Sequence, residues 1–144
     1  MEIAKLWPDI KVTGQACPFW VPLIEYDEAD SPGADYFVKK RIDQLMQKDP
    51  DIDTIILGCT HFPLLMPKIV KYTQPGIRIV PQGEYVATSL KDYLLRHNDM
   101  EQLITRGGTV TYYTTENTEK FKHSATIFLH EEVEAHHVEL GNQE

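Results

Sequence analysis

Cysteine is scarce in this chain: two residues among 144, Cys17 and Cys59. Two thiols build no disulfide framework. Neither sits in a Cys-x-x-Cys pair or a zinc-type spacing, so both are expected to be free. Basic residues are outnumbered, 14 lysines and arginines against 22 acidic residues, for a formal net charge of −8. That balance argues against broad binding to nucleic acid or anionic membranes, but not against a small anion at a local site. No apolar run approaches the about 18 residues that would span a bilayer. The opening MEIAKLWPDI lacks the basic start and apolar stretch of a secretory signal, so the expected compartment is the cytoplasm. Internal repeats and low-complexity tracts are missing too. What remains is ordinary: 42% apolar residues and enough length for a sizeable core.

Short β-rich runs take turns with longer helical ones. Strands are expected at IKVTG (10–14), DTIILG (53–58), IRIVP (77–81), GGTVTYYTT (107–115) and EAHHVEL (134–140). The unbroken apolar centre of 53–58 predicts a strand buried on both faces. CPFWVPLIE (17–25) reads as a short helical turn interrupted by Pro22. SPGADYFVKKRIDQLMQK (31–48) reads as a helix with Phe37, Ile42 and Leu45 near one face. FPLLMPKIVKYT (62–73) has Pro63 suited to a first helical turn, while Pro67 predicts a late start or a kink. In GEYVATSLKDYLLRH (83–97) the inner stripe is Val86, Leu90, Tyr93 and Leu94. In ENTEKFKHSATIFLH (116–130) it is Phe121, Ala125, Phe128 and Leu129. Strand and helix in alternation predict an α/β layered fold with a mainly parallel sheet. EIAKLW has the pattern of a helix end, so the sequence is expected to begin inside a fold.

The stretch DTIILGCTHFPLL (53–65) carries the chemistry. In open parallel sheets ligands gather beyond the carboxyl ends of the strands, which is where Gly58 and Cys59 would lie. Gly58 permits close approach of a ligand or backbone. A helix opening near Phe62 would turn its free N–H groups toward Cys59 and any bound anion. Thr60 suits a helix cap or a carboxylate contact. His61 suits proton exchange with sulfur or substrate. The residues alone leave two readings open: a reactive cysteine at a strand-to-helix turn, or a small core residue beside an apolar strand. For His123, His130, His136 and His137 a solvated surface is expected rather than a metal site. Gly107–Gly108 is expected to be a turn, and Tyr112 and Tyr113 to face opposite sides of a strand.

GCTHFPLL resembles the second cysteine motif of glutamate racemases, in the aspartate/glutamate racemase superfamily. QACPFWVPLIE (15–25) is similar to the segment those enzymes carry upstream, ending in an acidic residue. The gap between the segments, the strand that follows and the helix GEYVATSLKDYLL fit as well. The resemblance covers nearly the whole chain but only the C-terminal half of the bacterial enzyme. It implies an incomplete two-domain α/β fold. Residues 1–81 would form most of one domain, and 82–144 would be the C-terminal portion of another whose first half is missing. It also implies cofactor-independent interconversion of L- and D-glutamate by two cysteines on opposite faces of Cα, supplying D-glutamate for peptidoglycan. By matching position, Cys59 would be the second acid/base, with His61 assisting it, Glu25 influencing protonation and Thr60 holding substrate. The family's first catalytic cysteine lies in a Cys-Asn-Thr motif that does not occur here, nor does its Asp-Ser-Gly motif. Cys17 is therefore expected to pack beneath the site, and the chain alone to be inactive as a racemase. Gln82 stands where members often have a small hydroxyl residue. The expected partners are glutamate and either a missing N-terminal half or a second copy. Two alternatives stand beside this reading: a racemase for a related amino acid such as aspartate, or a non-catalytic assembly module. His61 argues against aspartate, since aspartate racemases tend to carry an acidic residue there.

Overall fold

The computed structural model describes residues 2–141. They divide into two compact units, one running to Tyr85 and the other starting at Val86. In the first unit the elements are α1 (Glu2–Leu6), α2 (Trp20–Glu25), α3 (Pro32–Lys48), β1 (Thr54–Leu57), a 3₁₀ turn (Phe62–Leu65), α4 (Met66–Tyr72) and β2 (Arg78–Pro81). β1 and β2 pair in parallel, with Ile55 opposite Ile79 and Ile56 opposite Val80. A parallel pair needs a crossover, which the 3₁₀ turn and α4 supply.

Local chemistry explains most of these boundaries. Ser31 caps α3 by accepting the Ala34 N–H, and Pro32 follows at the first helical position. The buried stripe of α3 is Ala34, Val38, Ile42 and Leu45, at helical spacing. Phe37, expected on that stripe, is only half-buried and stacks on Phe19 with centroids 4.8 Å apart. Pro22 does not interrupt α2: it lies in the first turn, where a missing N–H costs no helical bond. Pro67 delays α4 as expected, so the segment enters through a 3₁₀ turn and becomes α-helical only at Met66.

Two expectations fail in this unit. Residues 10–14 form no strand. The segment is held by polar contacts instead: Lys11 Nζ and Thr13 Oγ1 reach Asp49 Oδ2 at 2.8 and 3.2 Å, and Lys48 Nζ donates to Gly14 O at 2.9 Å. No strand among the described residues lies beside it to form a ladder. β1, in turn, is buried on one face only. Ile55 and Leu57 are inside, whereas Ile56 is 56% exposed. An apolar run shows that both faces suit burial, not that both are covered.

A single carboxylate joins α3 to α4. Asp35 accepts from Lys68 Nζ at 2.6 Å, Lys71 Nζ at 2.8 Å and the Tyr72 hydroxyl at 2.6 Å. The Lys68 and Lys71 ammonium groups, then the Tyr72 hydroxyl, hold the Asp35 carboxyl well below the usual carboxylate range. A depressed folded value stabilises the protein above the unfolded value of about 3.9, and that contribution fades as pH falls toward the folded value. Asp35→Asn is therefore expected to lower the thermal midpoint at neutral pH and to flatten its decline below about pH 4. Melting curves of both proteins from neutral pH into strong acid check this; parallel declines would refute it.

The second unit follows the boundary within α5 (Gln82–Arg96), and contains α6 (Asn98–Leu103), β3 (Tyr112–Thr114), α7 (Thr118–Leu129) and β4 (Ala135–His137). β3 and β4 again pair in parallel, Tyr113 opposite His136. The strands expected at 107–115 and 134–140 shorten to three residues each, and α6 was not anticipated. Gly107 and Gly108, both at positive φ, form the bend expected of them. Tyr112 is half-buried and Tyr113 is 60% exposed, on opposite faces. Asn117 caps α7 by accepting from Glu119 and Lys120 N–H. Of the stripe expected on α7 only Ala125 is buried. α5 buries nothing among the described residues: Val86, Leu90 and Tyr93 are exposed, and Leu94 is half-buried. The amphipathic period is real in α5, but no described element covers its apolar face.

Candidate active site

An aromatic pair assembles the site. Trp20, 3% exposed, anchors α2 and meets Phe62 of the 3₁₀ turn edge-on, with centroids 4.8 Å apart. Such a pair contributes about 0.5–1.5 kcal/mol beyond the area it buries. Phe62 is the chain neighbour of His61, and Ile24, fully buried, fixes the end of α2 on which Glu25 stands. Packing underneath thus brings Glu25 and His61 together above it.

His61 Nε2 lies 2.6 Å from Glu25 Oε1, and His61 Nδ1 lies 3.9 Å from Cys59 Sγ. The order of the three groups determines the proton's position. An ionised carboxylate only accepts, so Nε2 carries hydrogen and donates to Glu25. In neutral imidazole Nδ1 is then the acceptor, facing the thiol. The S···N distance is long for direct transfer, as is common where a bound molecule tightens the arrangement. Partial exposure of the pair, 29% for His61 and 43% for Glu25, limits its contribution to stability. Its value lies in orientation.

Three further observations bear on the expected chemistry. The N–H groups imagined as facing Cys59 are engaged: Phe62 N donates to Cys59 O at 3.2 Å and Leu64 N to His61 O at 3.0 Å. With only a 3₁₀ turn there, and Pro63 within it, no helix end is available to cradle an anion. Thr60 is exposed and does not cap the turn, whose N-cap is His61. A Cβ built on Gly58 would meet no atom within 4 Å, so the described residues leave open space beside Cys59. Gln82 donates to Leu57 O at 3.0 Å and steadies the end of β1 just before that glycine.

Cys17 lies apart from this chain of groups. Its thiol reaches Gln15 O at 3.7 Å, and burial pushes it up to about 11. Its alkylation is expected to be slow at pH 8, where roughly a thousandth is thiolate, and to rise about tenfold per pH unit toward 11. Rates of iodoacetamide labelling at Cys17, read by peptide mass from pH 7 to 11, check this. A plateau below pH 9 would refute it.

A thiol at the carboxyl end of a parallel strand, faced by an imidazole that a carboxylate orients, is equipment for general acid–base chemistry on a mainly parallel α/β scaffold. No protein-family model matches the chain. It is 36% identical over 140 residues to the glutamate racemase of Lactiplantibacillus plantarum, covering 94% of this chain and 50% of that protein. The solved structure of a glutamate racemase isoform from Bacillus anthracis matches with a TM-score of 0.80 at 28% identity, over 96% of this chain and 50% of the other. The Thermus thermophilus glutamate racemase, solved with β-chloro-D-alanine, matches with a TM-score of 0.72 at 26% identity, over 88% and 47%. The chain is a homologue of glutamate racemases and corresponds to their C-terminal half. It spans about half the length of the curated relatives it matches.

Proposed function

We propose that this chain carries one acid/base half-site of a glutamate racemase. The contact chain Glu25–His61–Cys59 supports the reading most directly. In one direction the Cys59 thiolate takes the α-hydrogen as a proton. The C–H bond breaks, an S–H bond forms, and the electron pair passes into the substrate carboxylate as an enediolate. In the other direction the Cys59 thiol returns a proton to the same face. His61 accepts and restores the thiol proton, Glu25 keeps its Nε2–H in place, and Thr60 contacts the substrate. No cofactor takes part.

A racemase needs a second base on the opposite face of Cα, and Cys17 is separate from this cluster. The chain alone exchanges the α-proton of one enantiomer and does not racemise. Residues 1–81 belong to one domain of the parent fold and 82–144 to another, with an N-terminal half or a second copy completing the site. In the whole enzyme the product, D-glutamate, serves peptidoglycan synthesis in the cytoplasm.

The test is incubation of L- and D-glutamate, separately, with the chain in D₂O, following loss of the α-proton signal by NMR and optical rotation. Loss of the signal from one enantiomer, with rotation unchanged, is the expected result. Racemisation would overturn the half-site reading. Exchange of aspartate in preference to glutamate would move the substrate to the related class. No exchange with either would make the chain a non-catalytic module.

A further inference from the structure

Lys68 is buried at the foot of the site, 12% exposed, and has no role in the chemistry above. Besides Asp35, its ammonium donates to two backbone carbonyls, Asp30 O and Ser31 O, each at 3.3 Å. Those carbonyls close the loop that leads from Glu25 into α3. The loop is tight: Ser31 N donates to Glu28 O, Glu28 N to Leu23 O and Asp27 N to Ile24 O, with Asp27 in the left-handed region at φ 58°. A chain of backbone hydrogen bonds therefore runs from the Lys68 ammonium to the last turn of α2. Lys68 itself sits on α4, which continues the segment bearing Cys59 and His61.

We infer that Lys68 is a positioning residue that holds Glu25 against His61, an inference that rests on reading Glu25–His61–Cys59 as a proton relay. One ammonium ties together the two chain segments whose side chains meet at 2.6 Å. Lys71 shares Asp35 but is 59% exposed, and its ammonium bonds to the Asp35 carboxylate rather than the loop carbonyls. It is the matched control: it belongs to the α3–α4 ion pair without belonging to the clamp.

The experiment is a double-mutant cycle read by iodoacetamide alkylation of Cys59, in a Cys17→Ala background so that one thiol reports. Lys68→Met is expected to slow alkylation by roughly fivefold or more, to the rate of Glu25→Gln, because the thiolate loses its oriented base. Combining the two is expected to slow it no further, since neighbours acting through one contact are not additive. Lys71→Met is expected to lower the melting midpoint and leave the rate alone. ¹⁵N spectra of the His61 ring should show the Nε2–H form in the parent and mixed tautomers in Lys68→Met.

An unchanged rate and tautomer in Lys68→Met would overturn the inference. So would a full additional slowing in the Glu25→Gln background. If Lys68→Met does not fold, Lys68→Gln takes its place with the same expected result. An unchanged rate in Glu25→Gln would remove the relay and this inference with it. Failure of glutamate to exchange would count against the substrate alone, because alkylation needs no substrate.

Discussion

Cys59→Ala is expected to abolish exchange of the glutamate α-proton, a loss of at least about a thousandfold, while Cys17→Ala leaves it within a small factor. The contrast follows from surroundings rather than residue type. Cys59 faces an imidazole whose other nitrogen is held by a carboxylate. Cys17 is pushed up to about 11 by burial, so its thiolate is rare at neutral pH. Between these extremes, Glu25→Gln is expected to reduce exchange by at least about tenfold. An amide can present N–H to Nε2, driving the ring hydrogen to Nδ1, where it faces the sulfur and cannot accept its proton. His61→Ala should fall between Glu25→Gln and Cys59→Ala. NMR exchange rates for the four variants on the more reactive enantiomer check the order. Equal rates for the parent and Cys59→Ala would end the assignment of Cys59, and a large loss in Cys17→Ala would restore the two-cysteine pairing within one chain.

The catalytic cluster was legible in the sequence because its members occupy short, informative stretches. GCTH places sulfur and imidazole two residues apart at a strand end, and WVPLIE ends in the carboxylate. Their meeting across the fold was legible only through resemblance, since spacing does not reveal that Trp20 packs against Phe62. Lys68 had no signal at all: a lysine on a helix reads as solvated until its carbonyl partners, far away in sequence, are seen. The errors share one physical origin. Periodicity and apolar runs report which faces suit burial. They do not report whether a neighbour exists. Residues 10–14 found no ladder partner, Ile56 faces outward from β1, and the α5 stripe is uncovered among the described residues. For a chain matching half the length of its relatives, surfaces that suit burial and remain exposed mark where more chain, or another copy, is expected to pack.

That shortage of cover makes the first unit sensitive to losses inside it. Ile69→Ala is expected to cost about 2–5 kcal/mol, from lost burial and from the cavity left behind. Ile69 is fully buried on α4, one residue from the Lys68 clamp. Ordinary domains have only about 5–15 kcal/mol of net stability, so the change takes a large share of it or exceeds it. Ile69→Val, removing one methylene, should cost about 0.5–1.5 kcal/mol and serves as the control. Both tryptophans, Trp7 and Trp20, lie in the first unit, so their fluorescence reports its unfolding separately from the second. Urea titration by fluorescence should move the midpoint sharply down for Ile69→Ala and slightly for Ile69→Val. At urea concentrations that unfold only the alanine variant, Cys59 should also lose its His61-dependent alkylation, because α4, the 3₁₀ turn and α2 pack as neighbours. If the midpoint collapses while that reactivity survives, then the turn bearing Cys59 and His61 is ordered without α4, and the core beneath the site does not position it.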